Sequence, residues 1–181
     1  GVEITGSYYS RLAENRDLLL TAYLYTETAP MASAQYRTLL EDGAYQVTGY
    51  VTYGSRVPLN SDIPVAEKDL RGYIAANGRF QLDPNWSVAG SLRYASDRTF
   101  LRRYDISRDD RLRSTINLER IDDDSYFSVA GWVTQATLVP TPQGLVPIAL
   151  PVIDYRRRLA DPVLGGQIEL QANSLAITRT S

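Results

Sequence analysis

Hydrophobic and polar residues alternate along most of this chain, beginning in its first residues. Across residues 43–53, for example, apolar and aromatic side chains or glycine hold the odd positions, while glutamine and threonine hold most of the even ones. A period of two is typical of a β-strand whose two faces meet different surroundings. The pattern therefore predicts strands with one apolar face and one polar face.

Turn-forming residues divide this alternation into segments of strand length. Asp83, Pro84 and Asn85 form one such signal, because proline presets φ and asparagine tolerates the left-handed region. About eleven strands result, at residues 2–12, 17–26, 32–40, 44–56, 68–82, 86–96, 99–107, 111–121, 125–137, 148–159 and 167–179. No helical period survives more than two turns. We expect an all-β chain, an antiparallel up-and-down transmembrane β-barrel segment that forms one region over residues 1–181.

The strand faces opposite the apolar ones carry charged and amide side chains. A water-filled or protein-plugged lumen tolerates such residues, whereas a packed sandwich core does not. The predicted lumen-facing residues are Arg71, Arg79, Arg113, Asn117 and Glu169. A soluble sheet with one solvated face would give the same alternation. Small residues on the apolar faces favour the barrel wall, because they would leave gaps in a globular core.

The fourth predicted strand gives the clearest assignment of faces. The residues expected to contact lipid are Tyr45, Val47, Val51 and Tyr53. The residues expected to face the lumen are Gln46, Thr48 and Thr52. A shift of register by one residue would exchange these two sets.

The amino-acid composition excludes several classes of function. The chain has no His and no Cys, which removes Ser–His catalysis, disulfides and thiolate metal sites. Its net charge of −2 provides no basic footprint for nucleic acid. Tyrosine, with 13 residues against 3 Phe and 2 Trp, suits the aromatic girdles of outer-membrane barrels. We therefore expect no enzyme activity, no cofactor and no tightly bound metal.

Acidic clusters offer the remaining candidate chemistry. Asp122, Asp123 and Asp124 are consecutive carboxylates, the ligand type that hard cations prefer. They lack the spacing of an EF-hand loop, so a solvated turn explains them better. The same interpretation covers Asp105, Asp109 and Asp110.

Several short segments, read in order, resemble one known family. The first hairpin contains Tyr8-Tyr9, Leu12-Ala13, Asn15, Asp17 and Leu20-Thr21. Later segments include Ser96-Asp97, Arg103-Tyr104, Asp124-Ser125-Tyr126, Leu150-Pro151, Ile153-Asp154-Tyr155, Asp161-Pro162, Leu164-Gly165-Gly166 and Asn173. Each is weakly specific, but the ordered set resembles the barrel of the lipopolysaccharide-assembly family LptD, also called organic solvent tolerance proteins.

This resemblance implies a function that alternation alone does not. Members of the family receive lipopolysaccharide from a periplasmic bridge and pass it into the outer leaflet through a seam between the first and last strands. The implied partners are lipopolysaccharide, outer-membrane lipid, the bridge proteins and a plug lipoprotein of the LptE type. The implied location is the outer membrane of a Gram-negative bacterium. We expect the chain to be an excerpt, without the periplasmic jelly-roll and the closing strands.

The resemblance also selects seam residues and shows one departure. The seam candidates are Ser7, Tyr8, Tyr9, Asn15, Asp17 and Ala22. The family typically has Pro where this chain has Ser7 and Ala22, and often a third where it has Glu14. Because proline removes a ladder donor, its absence is expected to strengthen the first hairpin.

Two other functions compete with this interpretation. A generic outer-membrane pore or small-ligand β-barrel would use the same strands as a complete structure. A soluble β-rich carbohydrate-active enzyme would show the same alternation without a need for detergent. The complete reading frame would separate the first of these from an LptD-type barrel.

Overall fold

The computed structural model describes residues 1–59, 63–138, 148–159 and 164–179. Ten antiparallel strands in these residues form one sheet, and their order in the sheet is their order in the chain. The strands are β1 (Glu3–Ala13), β2 (Arg16–Tyr25), β3 (Met31–Leu40), β4 (Gly43–Gly54), β5 (Asp69–Gln81), β6 (Trp86–Ala95), β7 (Arg111–Ile121), β8 (Ser125–Ala136), β9 (Ile148–Arg158) and β10 (Glu169–Thr178). A helical turn, α1 (Phe100–Arg103), lies between β6 and β7.

The predicted all-β, up-and-down topology is confirmed. Within the described ranges β1 and β10 each pair on one side only, so the sheet is open. Closure into a barrel therefore stays a prediction. Among the described residues no helix is long and apolar enough to cross a membrane.

The predicted strand at residues 99–107 is wrong, because this segment is a loop that contains α1. Phe100 and Leu101 are adjacent and both buried, which a strand with two different faces does not allow. The backbone N–H of Tyr104 donates to the carbonyl of Phe100, and the two rings lie 5.2 Å apart between centroids. Residues four positions apart are neighbours on a helix, so the contact between Phe100 and Tyr104 is a helical one. This contact determines the local structure in spite of the short polar–apolar alternation that follows in the sequence.

Connection lengths differ between the two ends of the sheet. At one end the strands are joined by short turns, at residues 14–15, 41–42, 82–85 and 122–124. In the third of these the Asp83 carboxylate accepts hydrogen bonds from the N–H groups of Asn85 and Trp86, both at 2.7 Å. The opposite end carries the longer loops at 55–68 and 96–110. The connection at 159–168, on the short-turn end, is the exception, and part of it lies outside the described residues.

Strand register assigns residues to two faces, because directly paired residues point to the same side of a sheet. Gln46 pairs with Asn77, which pairs with Ser91. We call this side the polar face. Val47 pairs with Ala76 on the opposite side, which we call the apolar face.

The apolar face leaves large hydrophobic side chains uncovered. Exposed hydrophobic residues of this face occur in strands from β2 to β10. They include Leu20, Val51, Leu70, Leu92, Ile116 and Leu170. A monomer in water rarely leaves so extended an apolar surface open. This face therefore needs lipid or protein against it.

The polar face is partly covered by the loop at residues 96–110, which we call the β6–β7 loop. Phe100 and Leu101 of this loop pack in a buried cluster with Met31 of β3, Tyr73 of β5 and Leu112 of β7. The Tyr104 ring reaches further across the sheet, where its hydroxyl lies 3.1 Å from Thr52 Oγ1. The loop thus crosses the face of several strands and provides Phe100 and Leu101, two of the nine buried hydrophobic residues in the described ranges.

A buried ion pair fixes the start of the β6–β7 loop. The Arg71 guanidinium donates to both carboxylate oxygens of Asp97, at 2.8 and 3.0 Å. The side chains are 7% and 0% exposed. The Asp97 carboxylate also accepts from the backbone N–H of Thr99, while Arg71 donates to the Thr99 hydroxyl. Such a pair is tolerated in a dry site only because its hydrogen bonds are well satisfied.

The loop enters where β6 and β7 stop pairing. Their ladder ends at the pair Ser91–Thr115. Beyond it, the Gln135 amide both donates to the Ala95 carbonyl and accepts from the Ala95 N–H, at 2.7 and 3.0 Å. The Ser114 hydroxyl accepts from the Arg93 N–H at 3.0 Å. Side chains therefore replace the missing strand in satisfying the backbone of β6.

We expect Asp97→Asn to destabilise the protein by about 3 kcal/mol, because it leaves the buried Arg71 charge without its counterion. The free energy of unfolding in detergent micelles, from a urea titration, provides the measurement.

The matched control is Asp105→Asn in the same loop. It removes the ion pair between Asp105 and Arg108, whose side chains are 75% and 86% exposed, respectively. Asparagine also accepts the φ of 51° that Asp105 adopts. Little change is expected there. Similar losses in both variants would show that the buried pair does not anchor the loop.

Candidate functional site

The six predicted seam residues do not form one cluster. Tyr8 and Ala22 lie on the apolar face, where they pair with Leu20 and Gly6. Asn15 lies in the β1–β2 turn. The remaining three, on the polar face, are Ser7, Tyr9 and Asp17. The first hairpin therefore presents candidate residues to both sides of the sheet.

On the polar face, a small hydrogen-bond network surrounds Asp17 near the short-turn end. The Arg37 guanidinium of β3 donates to both of its carboxylate oxygens, at 2.9 and 2.7 Å. The Tyr9 hydroxyl donates to the same carboxylate at 3.3 Å. A cleft of about 500 Å³ lies beside these residues. The network joins β1, β2 and β3 through partly exposed side chains, so it contributes little to stability.

The backbone directions of Ser7 and Ala22 differ. The N–H of Thr26 donates to the carbonyl of Val2, so this pair is hydrogen-bonded. Antiparallel ladders alternate hydrogen-bonded and non-hydrogen-bonded pairs. Counting along the register makes Gly6–Ala22 a hydrogen-bonded pair and Ser7–Thr21 a non-hydrogen-bonded one. The Ala22 N–H therefore points into the ladder, while the Ser7 N–H points away from β2, out of the open edge.

Two further contacts agree with this assignment. The hydroxyls of Ser7 and Thr21 lie 3.0 Å apart, as expected for the closer side chains of a non-hydrogen-bonded pair. On the other side of β2, the N–H of Leu39 donates to the carbonyl of Asn15. Because hydrogen-bonded and non-hydrogen-bonded pairs alternate from that bond onwards, Ala22–Ala32 is a non-hydrogen-bonded pair. The Ala22 N–H therefore does not point towards β3 and can donate to β1.

The five predicted lumen residues all lie on the polar face, but the structure uses them differently. Arg71 is buried in the ion pair with Asp97. Arg113 lies over the Trp132 ring, 4.1 Å from its centroid. The remaining three and their cross-strand neighbours are Arg79 beside Ala44 and Ala89, Asn117 beside Ala89 and Ala130, and Glu169 beside Arg158.

Sequence reasoning missed the residues that hold the loop against this face. Arg93 of β6 donates to the Tyr73 hydroxyl at 2.9 Å and to the Asp109 carboxylate at 2.7 Å. The hydrogen bond from Arg93, with a second from Ser107, holds the pKa of Asp109 below its usual range. Asp109 is thus part of an ion pair at the end of the loop. The adjacent apolar pair at residues 100–101 was the available signal that this segment is not a strand.

The comparison with known protein families decides the assignment. A family model described as LPS transport system D, LptD, matches residues 69–181, which is more than half of the chain. The chain belongs to the LptD family. That family acts in lipopolysaccharide transport and belongs to the outer membrane, so its function is transport. No curated protein matches the chain.

The LptD match covers only part of the resemblance found in the sequence. It includes β5 to β10 and the β6–β7 loop, with Asp97 and Tyr104. The first hairpin lies before the matched residues, so its likeness to an LptD seam stays a prediction. Asp161 and Pro162, also part of the resemblance, lie outside the described residues.

Proline at the two seam positions should have different effects in this LptD-family chain. Ala22→Pro removes the donor of a β1–β2 ladder bond, so we expect amide exchange in β1 to accelerate by about tenfold or more. Ser7→Pro leaves that ladder intact and removes only a donor at the open edge. Hydrogen–deuterium exchange of peptides from the first hairpin in detergent is the measurement.

Each variant controls for the other, because both impose the same restriction on φ. Ala22→Ser, which keeps the N–H, should exchange like the unaltered protein. Equal acceleration by both prolines would contradict the assigned N–H directions.

Proposed function

We propose that this chain is wall of an outer-membrane β-barrel and that its first strand borders a seam through which lipopolysaccharide enters the outer leaflet. The main support for the proposal is the difference between the two faces of the sheet. Its apolar face is exposed, whereas its polar face is covered in part by the protein's own loop. Because the chain belongs to the LptD family, the lipid in this proposal is lipopolysaccharide.

The open edge of β1 supports the seam. Residues of non-hydrogen-bonded pairs in β1, among them Thr5, Ser7 and Tyr9, direct backbone N–H and C=O groups away from β2. An unpaired edge is a template for another strand, and in lipid each unpaired group costs several kcal/mol. We infer that a closing strand occupies this edge and that its weak or partial pairing opens the seam.

Loop lengths support an orientation. Outer-membrane barrels have short periplasmic turns and longer extracellular loops. The end with turns 14–15 and 41–42 therefore faces the periplasm, where the bridge proteins deliver lipid. The end with the β6–β7 loop faces outwards.

The polar face supports the role of lumen wall. On this proposal Arg79, Arg113, Asn117 and Glu169 line the lumen, where a plug lipoprotein of the LptE type contacts them. Arg71 and Asp97 instead hold the loop across the outer end of the lumen.

Photo-crosslinking in living cells tests the proposal. A photoreactive residue at position 7, on the edge strand, should capture lipopolysaccharide, and capture should stop when the periplasmic supply is depleted. The control is position 48, which lies on the same polar face in the central strand β4. Similar yields at positions 7 and 48, or a yield at 7 that does not depend on supply, would contradict the seam.

A further inference from the structure

A second cleft lies at the long-loop end of the sheet, about 550 Å³ in volume. Three connections build it, namely those between β2 and β3, between β4 and β5, and between β6 and β7. Its charged lining residues are Glu27, Arg56, Lys68, Arg71 and Arg103. It is separate from the cleft beside Asp17 and from the seam edge of β1.

Positive charge in this cleft exceeds the negative charge that neutralises it. Lys68 and Arg103 make no ion pair with any residue in the described ranges. Arg71 is committed to Asp97. The one carboxylate that lines the cleft is Glu27, which is 77% exposed.

Arg56 adds a further cationic side chain to the cleft lining, one that is partly neutralised. One terminal nitrogen of its guanidinium pairs with Asp69 at 3.0 Å. Its Nε is buried and has no acceptor among the described residues.

The chemistry of the lining fits a phosphoryl group. A phosphoryl group carries negative charge on three strong acceptor oxygens, and arginine and lysine bind it through charge-assisted hydrogen bonds. The hydroxyls of Thr28 and Ser55 add neutral donors. A divalent cation is disfavoured, because one carboxylate stands among four cationic side chains.

We propose that this cleft binds a phosphoryl group, with Lys68 and Arg103 as its donors. The group belongs either to a phosphorylated lipid headgroup or to free phosphate. The binding of phosphate is independent of the transport function proposed above. Its assignment to the phosphorylated sugars of lipopolysaccharide rests on that function, because the long-loop end then faces the outer leaflet.

Equilibrium binding to the detergent-solubilised protein tests the proposal, with inorganic phosphate as the first probe. We expect the double variant Lys68→Gln with Arg103→Gln to weaken phosphate binding at least tenfold. Glu27→Gln removes a repelling charge and should strengthen binding severalfold, a gain that misfolding cannot produce. Arg108→Gln, in the same loop but outside the cleft, should bind like the unaltered protein.

The second probe separates the two sources of phosphate. Lipopolysaccharide and enzymatically dephosphorylated lipopolysaccharide are compared in mixed micelles. Tighter binding of the phosphorylated form that is lost in the double variant supports the lipid headgroup. An effect confined to inorganic phosphate supports the free anion as the occupant.

Unchanged phosphate binding in the double variant, or an equal loss in Arg108→Gln, overturns the site. If the protein binds phosphate here but gives no lipopolysaccharide crosslink at the β1 edge, the phosphate site is supported and the seam is contradicted. The two proposals therefore fail separately.

Discussion

The ion pair between Arg71 and Asp97 is the contact on which the covered part of the sheet depends. It holds the start of the β6–β7 loop, and the pair between Arg93 and Asp109 holds its end. Between these two anchors, α1 inserts Phe100 and Leu101 against the polar face. Where β6 and β7 separate under this loop, the Ser114 and Gln135 side chains satisfy backbone groups of β6 that would otherwise be unpaired.

The strands could be predicted from sequence because each strand meets two different environments. Residues 43–53 alternate so regularly that β4 and its two faces followed directly from the pattern. The turn at Asp83 was equally readable, since its side chain caps the backbone locally. Such features depend on residues that are neighbours in the chain.

The site could be predicted only in part, because its contacts join distant residues. The five residues predicted for the lumen do share the polar face, but the pattern did not show that Arg71 would be buried beneath Asp97, 26 positions away. Nor did it separate Ser7 from Ala22. Those residues lie on opposite faces. The Ala22 N–H points into the β1–β2 ladder and the Ser7 N–H points out of the open edge, which depends on the ladder phase set at Val2 and Thr26.

The central claim is that the apolar face meets lipid and the polar face does not. Because the chain contains no cysteine, a single cysteine at position 47 or 48 carries a spin label without further changes. In the membrane-inserted protein, relaxation by oxygen, which dissolves in lipid, is compared with relaxation by a water-soluble nickel complex. The account predicts high oxygen access at position 47 and low oxygen access at position 48. Equal access at both positions, or the reverse order, would contradict it.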